Sequence, residues 1–315
     1  MAGEKVGIIG SGLIGRSWAM LFAAAGYNVT LFDIAQTQLD TAIDDIRQKL
    51  VELESRNLLR GKLSAKEQVA LISTTDDLSK AVADAVHVQE CVPENQALKN
   101  KVLNNISNAC TSDTTIICSS TSTILPSKIF DGIPRVSQCI VAHPVNPPYF
   151  CPLTEIIPHP STNADILKNT KEIMEKIGQV VVTVKQEVDG FVLNRIQYAI
   201  INESWRLVAD GVMTPEDVDK VFTSGLGMRY AFMGPFETIH LNAEGVENYM
   251  ERYASSIRRV SSDFGPIPTF DGKALETVHN AMSSTIPATP EGLAARRQWR
   301  DQRLIALSEL KKKMD

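Results

Sequence analysis

Val6-Gly7-Ile8-Ile9-Gly10-Ser11-Gly12-Leu13-Ile14-Gly15 is an apolar strand that runs directly into Gly-x-Gly-x-x-Gly. Ile14, Trp18, Leu21, Phe22 and Ala25 then recur at helical spacing. In a strand-turn-helix unit of this kind each glycine has a task. Gly10 permits the tight turn, Gly12 lets the backbone around Leu13 and Ile14 approach a pyrophosphate, and Gly15 allows close helix-to-strand packing. Leu31-Phe32-Asp33 closes the next β-rich run, 23 residues after Gly10, where a carboxylate accepts both hydroxyls of a ribose. The residues that follow, Ile34, Ala35 and Gln36, provide no cation for a 2′-phosphate. The stretch therefore predicts a dinucleotide site that takes NAD in preference to NADP.

Short β-rich runs alternate with amphipathic stretches from Lys5 to about Lys185, the signature of a mostly parallel sheet built from βα units. Strands are expected at Lys5 to Gly10, Asn28 to Asp33, Val86 to Cys91, Thr115 to Ser119, Ser137 to Ala142, Thr154 to Ile157 and Gln179 to Val184. Gln36 to Leu71 is longer than a minimal crossover and reads as a helical hairpin projecting from the sheet. After Asp189-Gly190 the β signal disappears. Thr214-Pro215 and Thr289-Pro290 each place a capping hydroxyl before a proline at the first helical position. The fold expected is thus α/β: a Rossmann-like domain over residues 1–188 and an all-α domain over 189–315.

A chain of 315 residues suits about two domains. With 43% hydrophobic and 22% charged residues it has the composition of a soluble globular protein. Its net charge of −5 gives no overall attraction for nucleic acid or anionic lipid. The basic run Arg296-Arg297-Gln298-Trp299-Arg300 shares its helix with Glu291, Asp301 and Glu309 and reads as a solvated or dimer-facing surface. Five widely spaced cysteines, with no Cys-x-x-Cys pair, point to reduced thiols and no metal. Apolar runs such as Trp18 to Gly26 are too short to span a membrane. A strand beginning by Lys5 leaves no room for a targeting peptide, so the expected address is cytoplasmic.

Among the five histidines His143 stands apart. It closes the apolar run Cys139-Ile140-Val141-Ala142 and precedes Pro144-Val145-Asn146-Pro147-Pro148, a rigid turn, and strand C-termini are where ligands bind in open α/β sheets. Glu155 follows 12 residues later among apolar neighbours, where a buried carboxylate can fix an imidazole tautomer.

The glycine fingerprint, Ser119-Ser120-Thr121-Ser122, the His-x-x-Asn-Pro turn, Glu155 and Asp189-Gly190-Phe191-Val192-Leu193-Asn194-Arg195 together resemble the 3-hydroxyacyl-CoA dehydrogenase family. The resemblance implies a dimeric, NAD-dependent dehydrogenase in which His143, oriented by Glu155, takes the proton of a secondary alcohol while hydride passes to the cofactor. It implies that Ser122 and Asn194 hydrogen-bond the reacting oxygen and hold the substrate, with Asn146 beside them in the turn. Glu94 and Lys99 map onto positions near the cofactor ribose and nicotinamide, although a charged pair at helical spacing is also what a solvated helix face carries. Val141 to Tyr149 and Gly225 to Pro235 are similar to a hydroxy-acid branch of the family, which implies L-gulonate, oxidised to 3-dehydro-L-gulonate, as substrate. Arg229 lies in that glycine-flanked second stretch, and a guanidinium grips a free carboxylate that a thioester does not offer. Two other readings stay open. A 3-hydroxyacyl-CoA dehydrogenase would use Arg56, Arg60, Lys62 and Lys66 on the projecting segment to meet a CoA phosphate. A lens-type structural protein would keep the site with only residual activity.

Overall fold

A computed structural model describes residues 3–314. Eight strands form one sheet in the order β3-β2-β1-β4-β5-β6-β7-β8. They are β1 (Lys5–Ile9), β2 (Asn28–Phe32), β3 (Ile72–Thr75), β4 (Ala85–Glu90), β5 (Ile116–Ser119), β6 (Cys139–Pro144), β7 (Leu153–Pro158) and β8 (Val180–Thr183). All neighbours pair in parallel except β6 and β7. Between them run α1 (Leu13–Ala24), α2 (Gln36–Ser55), α3 (Ala65–Ala70), α4 (Leu78–Val82), α5 (Gln96–Ala109), α6 (Pro126–Ile129) and α7 (Ala164–Lys176). The chain order reverses between β1 and β4, and the crevice at such a switch point, outside the strand C-termini, is where nucleotides bind.

Apolar side chains fill the two faces. Ile8, Trp18, Leu21, Phe22, Leu31, Leu39, Ile46 and Leu50 belong to one buried cluster, and Ile9, Val88, Leu103, Ile106, Ile117, Phe130 and Phe191 to the other. The strands expected from sequence are present with ends shifted by a residue or two. β3 was not expected: Ile-Ser-Thr-Thr is short and half exposed because it is an edge strand paired only with β2, so it lacks the apolar run of a central strand.

The segment from Gln36 to Leu71 does not project. Leu39, Ala42, Ile46, Leu50 and Leu53 recur at helical spacing along α2 and bury that face in the core. Arg60 is likewise turned inward. Its guanidinium lies over the Tyr149 ring at 5.2 Å and donates to the Gly178 carbonyl at 3.1 Å, and burial lowers its pKa.

The backbone divides into two compact units, one of residues 3–195 with 301–314 and one of 196–300. The second is wholly helical, carrying most of α8 (Leu193–Ala209), then α9 (Pro215–Val221), a π-helical turn (Phe222–Leu226), α10 (Gly227–Tyr230), α11 (Pro235–Leu241), α12 (Val246–Ser262), α13 (Gly272–Thr285) and the start of α14 (Pro290–Met314). Thr214 caps α9 as expected, its hydroxyl accepting from the Asp217 amide. Residues 301–314, expected with the helical domain, instead pack with the sheet unit, where Ile305 is buried in the core. No helix among the described residues is long and apolar enough to cross a membrane.

Candidate active site

The glycine turn has the geometry its sequence demands. Gly10 has φ +109°, and a Cβ there would stand 2.9 Å from the Cys91 backbone of the neighbouring strand end. A Cβ on Gly15 would stand 1.9 Å from the Gly10 carbonyl oxygen, so only glycine lets α1 approach the turn this closely. Gly12 is the N-cap of α1, with open space where its Cβ would be and no side chain capping the helix. The first-turn N–H groups, including those of Leu13 and Ile14, thus have no side-chain acceptor and suit a pyrophosphate.

Asp33 stands just past β2 beside this turn. Its Oδ2 accepts from the Ser11 amide at 2.9 Å and from the Ser11 hydroxyl at 2.7 Å, which fixes the carboxylate and leaves Oδ1 with one long contact, 3.3 Å, from the Ala35 amide. Ser11 was not singled out from sequence, although a hydroxyl between two motif glycines is the clue that could have marked it. A dinucleotide with free ribose hydroxyls fits these donors and acceptors. A 2′-phosphate would meet this carboxylate, and Ile34, Ala35 and Gln36 after it carry no cation. Since Ile34 is 89% exposed, an arginine is accommodated there without repacking. Asp33→Ser with Ile34→Arg should therefore shift the NADP-to-NAD ratio of kcat/KM upward by about tenfold or more. An unchanged ratio in steady-state assays with both cofactors would contradict the charge argument.

His143 and Glu155 face each other across the antiparallel pair β6 and β7 as direct partners in the register. The sequence interval of 12 becomes a side-by-side dyad because the intervening turn returns the chain antiparallel. His143 Nδ1 lies 2.8 Å from Glu155 Oε2, and both residues are buried. A carboxylate can only accept, so Nδ1 carries a proton, and in the neutral ring that tautomer leaves the lone pair on Nε2. The other oxygen, Oε1, accepts from the Val192 and Leu193 amides, each at 2.9 Å, at the start of α8. Burial by itself would raise the Glu155 pKa, but the His143 hydrogen bond and these two amides outweigh it and hold the carboxyl below its ordinary value. Gly190 and Phe191 both have positive φ, 74° and 52°, which bends the chain just before these amides. The Phe191 ring packs on the imidazole, with centroids 5.6 Å apart.

The same helix start brings Asn194 to Ser122, its Nδ2 donating to the Ser122 carbonyl at 2.7 Å. Ser122 Oγ in turn lies 3.1 Å from Glu94 Oε1, as donor. That oxygen also accepts from the Thr121 hydroxyl at 2.6 Å and from the Ser122 and Thr123 amides at 2.9 and 3.2 Å. Burial works against the Glu94 charge, yet these donors and Lys99 hold its pKa down. Lys99 is no solvated helix lysine, being 1% exposed with Nζ 2.9 Å from Glu90 Oε1 and 3.4 Å from Glu94 Oε2. Asn146 sits exposed in the turn after β6 and makes no hydrogen bond to His143 or Glu155. Arg229 lies on α10 in the helical unit, exposed and without an ion pair among the described residues.

The dinucleotide turn lies at the β1/β4 switch point, and the buried His143–Glu155 pair stands further along the same sheet at the end of β6, an arrangement that suits nicotinamide-dependent oxidation of an alcohol. The family model of the 3-hydroxyacyl-CoA dehydrogenase NAD binding domain matches residues 5–188, and that of the C-terminal domain matches residues 190–263. The chain belongs to the 3-hydroxyacyl-CoA dehydrogenase family and is an NAD-dependent oxidoreductase of it. It is 52% identical to lambda-crystallin of Oryctolagus cuniculus over 313 residues, covering 99% of this chain and 98% of that one. L-carnitine dehydrogenase of Oceanobacillus iheyensis is 36% identical over 81% of this chain and 82% of its own. Among solved structures, the NAD+-dependent dismutase 5-formyl-3-hydroxy-2-methylpyridine 4-carboxylic acid 5-dehydrogenase superposes with a TM-score of 0.82 at 27% identity, covering 98% of both chains.

Proposed function

We propose that the protein oxidises the 3-hydroxyl of a free hydroxy acid, L-gulonate to 3-dehydro-L-gulonate, with His143 as general base, Glu155 as its orienter, and Ser122, Asn194, Asn146 and Arg229 holding the substrate. The observation that carries this is the His143–Glu155 pair, whose register leaves Nε2 as the proton acceptor. When bound, NAD supplies the hydride acceptor. The chain's own part is to take the hydroxyl proton at Nε2, to stabilise the resulting imidazolium through the Glu155 carboxylate, and to hold the substrate oxygen beside Ser122 and Asn194. Glu94 and Lys99 then border the ribose and nicotinamide. In this reading residues 1–188 carry the cofactor, the base, Ser122 and Asn146, and residues 189–315 add Asn194, Arg229 and the dimer contacts.

A free carboxylate in the substrate is supported by Arg229, by the carnitine named for one relative and by the pyridine carboxylic acid named for a structural neighbour. The acyl-CoA alternative is weakened at Arg60, whose guanidinium is committed to Tyr149 and Gly178. A structural crystallin would have no need of a pre-oriented base. Absorbance at 340 nm with NAD and L-gulonate, 3-hydroxybutyrate or a 3-hydroxybutyryl thioester tests the assignment. L-gulonate should give the highest kcat/KM, and a preference for the thioester would reverse it.

The working form is a homodimer in the cytoplasm. No residue of α12 or α13 is buried, and Val246, Met250, Tyr253, Ile257 and Val260 line one face of α12 at alternating intervals of four and three, each at least 37% exposed. A stripe of that spacing suits a second helix. Light scattering at micromolar concentration should give twice 34.6 kDa, and a monomer would count against the stripe as a seam.

A further inference from the structure

Behind the Ser122 turn lies a buried carboxylate that the chemistry above does not use. Glu90 ends β4 and is wholly buried. Its Oε1 accepts from Lys99 Nζ at 2.9 Å and from the Val92 amide at 2.7 Å, and its Oε2 from Ser119 Oγ at 2.5 Å and Lys99 Nζ at 3.2 Å. Burial raises this carboxyl above its ordinary value, against the opposing pull of Lys99, Ser119 and the Val92 amide. Lys99 Nζ and the Val92 amide can only donate, and both find their acceptor in this carboxyl group.

Two arms lead from Glu90 to the same turn. Along one, Lys99 holds Glu94 Oε2 at 3.4 Å, and Glu94 Oε1 gathers the Thr121 hydroxyl and the Ser122 and Thr123 amides. Along the other, Ser119 Oγ, fixed by Glu90, accepts from the Thr121 amide at 3.2 Å. An apolar pair would join β4 to α5 with less desolvation. The Lys99 ammonium, held by Glu90, also reaches Glu94 Oε2.

We propose that Glu90 is a positioning residue of the dehydrogenase: through Lys99 and Glu94 on one side and Ser119 on the other, it sets the Thr121–Thr123 turn and with it the Ser122 hydroxyl. The proposal rests on the assignment of Ser122 to the reacting oxygen. Glu90→Gln keeps the side-chain shape but leaves Lys99 with Glu94 as its only carboxylate among the described residues, which draws Glu94 off the turn.

Hydrogen exchange across 119–125 reads the turn without any substrate. In Glu90→Gln the amides of Thr121, Ser122 and Thr123 should exchange about tenfold faster, and kcat with L-gulonate at saturating NAD should fall about ten- to a hundredfold. The charge-balanced double variant Glu90→Gln with Lys99→Met separates positioning from bulk stability. Its Tm should return toward wild type, because no unpaired buried charge remains, while the turn still exchanges fast and kcat stays low. Should Glu90→Gln alone not fold, the double variant carries the test. Unchanged exchange in either variant, or exchange and kcat both recovering with Tm, would overturn the proposal. If wild type leaves L-gulonate untouched but exchange rises as expected, the substrate assignment fails and the positioning role stands.

Discussion

His143→Gln is expected to lower kcat by about 10²- to 10⁴-fold, the usual cost of losing a general base, while NAD affinity by calorimetry stays near that of wild type. The separation follows from the architecture. The cofactor's glycine turn and Asp33 belong to the β1 and β2 ends, whereas His143 ends β6, and no side chain is shared between them. Glu155→Gln should cost nearly as much despite its closer shape. The Val192 and Leu193 amides both need an acceptor, so the new carboxamide turns its oxygen to them and its NH₂ to His143 Nδ1. That contact selects the tautomer with a proton on Nε2, the atom that must accept one. Wild-type turnover in His143→Gln would remove the base assignment. Near-normal turnover in Glu155→Gln would show that the amides do not set the carboxamide's orientation.

The second large effect is expected at Arg229, and it separates a free hydroxy acid from a thioester by charge alone. Arg229 is exposed in the structure, so a loss of about 2–5 kcal/mol, or roughly thirty- to several-thousand-fold in kcat/KM, is expected if bound substrate buries the bidentate charge pair. Arg229→Met should show that loss with L-gulonate and little of it with a neutral 3-hydroxybutyryl thioester. Arg229→Lys should recover only part, since an ammonium keeps the charge and loses the planar fork. The guanidinium has no ion pair among the described residues, so its loss breaks no internal salt bridge that would mimic a substrate effect. Equal losses with both substrates would end the carboxylate-clamp idea and raise the acyl-CoA alternative.

Some of this was legible because it is local. Gly-x-Gly-x-x-Gly between an apolar strand and a helical repeat dictates a turn that only glycine can make, and Asp33 follows at the distance one βα unit imposes. The 12-residue interval between His143 and Glu155 was likewise suggestive, because two apolar runs flanking a proline-rich turn pair antiparallel. Glu90 likewise ends the apolar β4 run with a charge, but its partners lie on α5 and β5, which the local sequence does not specify.

The order of βα units, the cofactor turn and the choice of NAD were readable in the chain, since each follows from backbone geometry or from the chemistry of one or two residues, and the same reading supplied His143 as the proposed base. Tertiary structure alone decided the rest. It showed that Ile72–Thr75 is an edge strand, that α2 lies on the sheet, that Arg60 faces inward and that residues 301–314 return to the first unit. It also turned Lys99 from an ordinary helix lysine into a buried link between two carboxylates. The physical reason is common to all of these. Burial and pairing are settled by which distant segments pack together, and a residue's own neighbours in the chain carry little record of that.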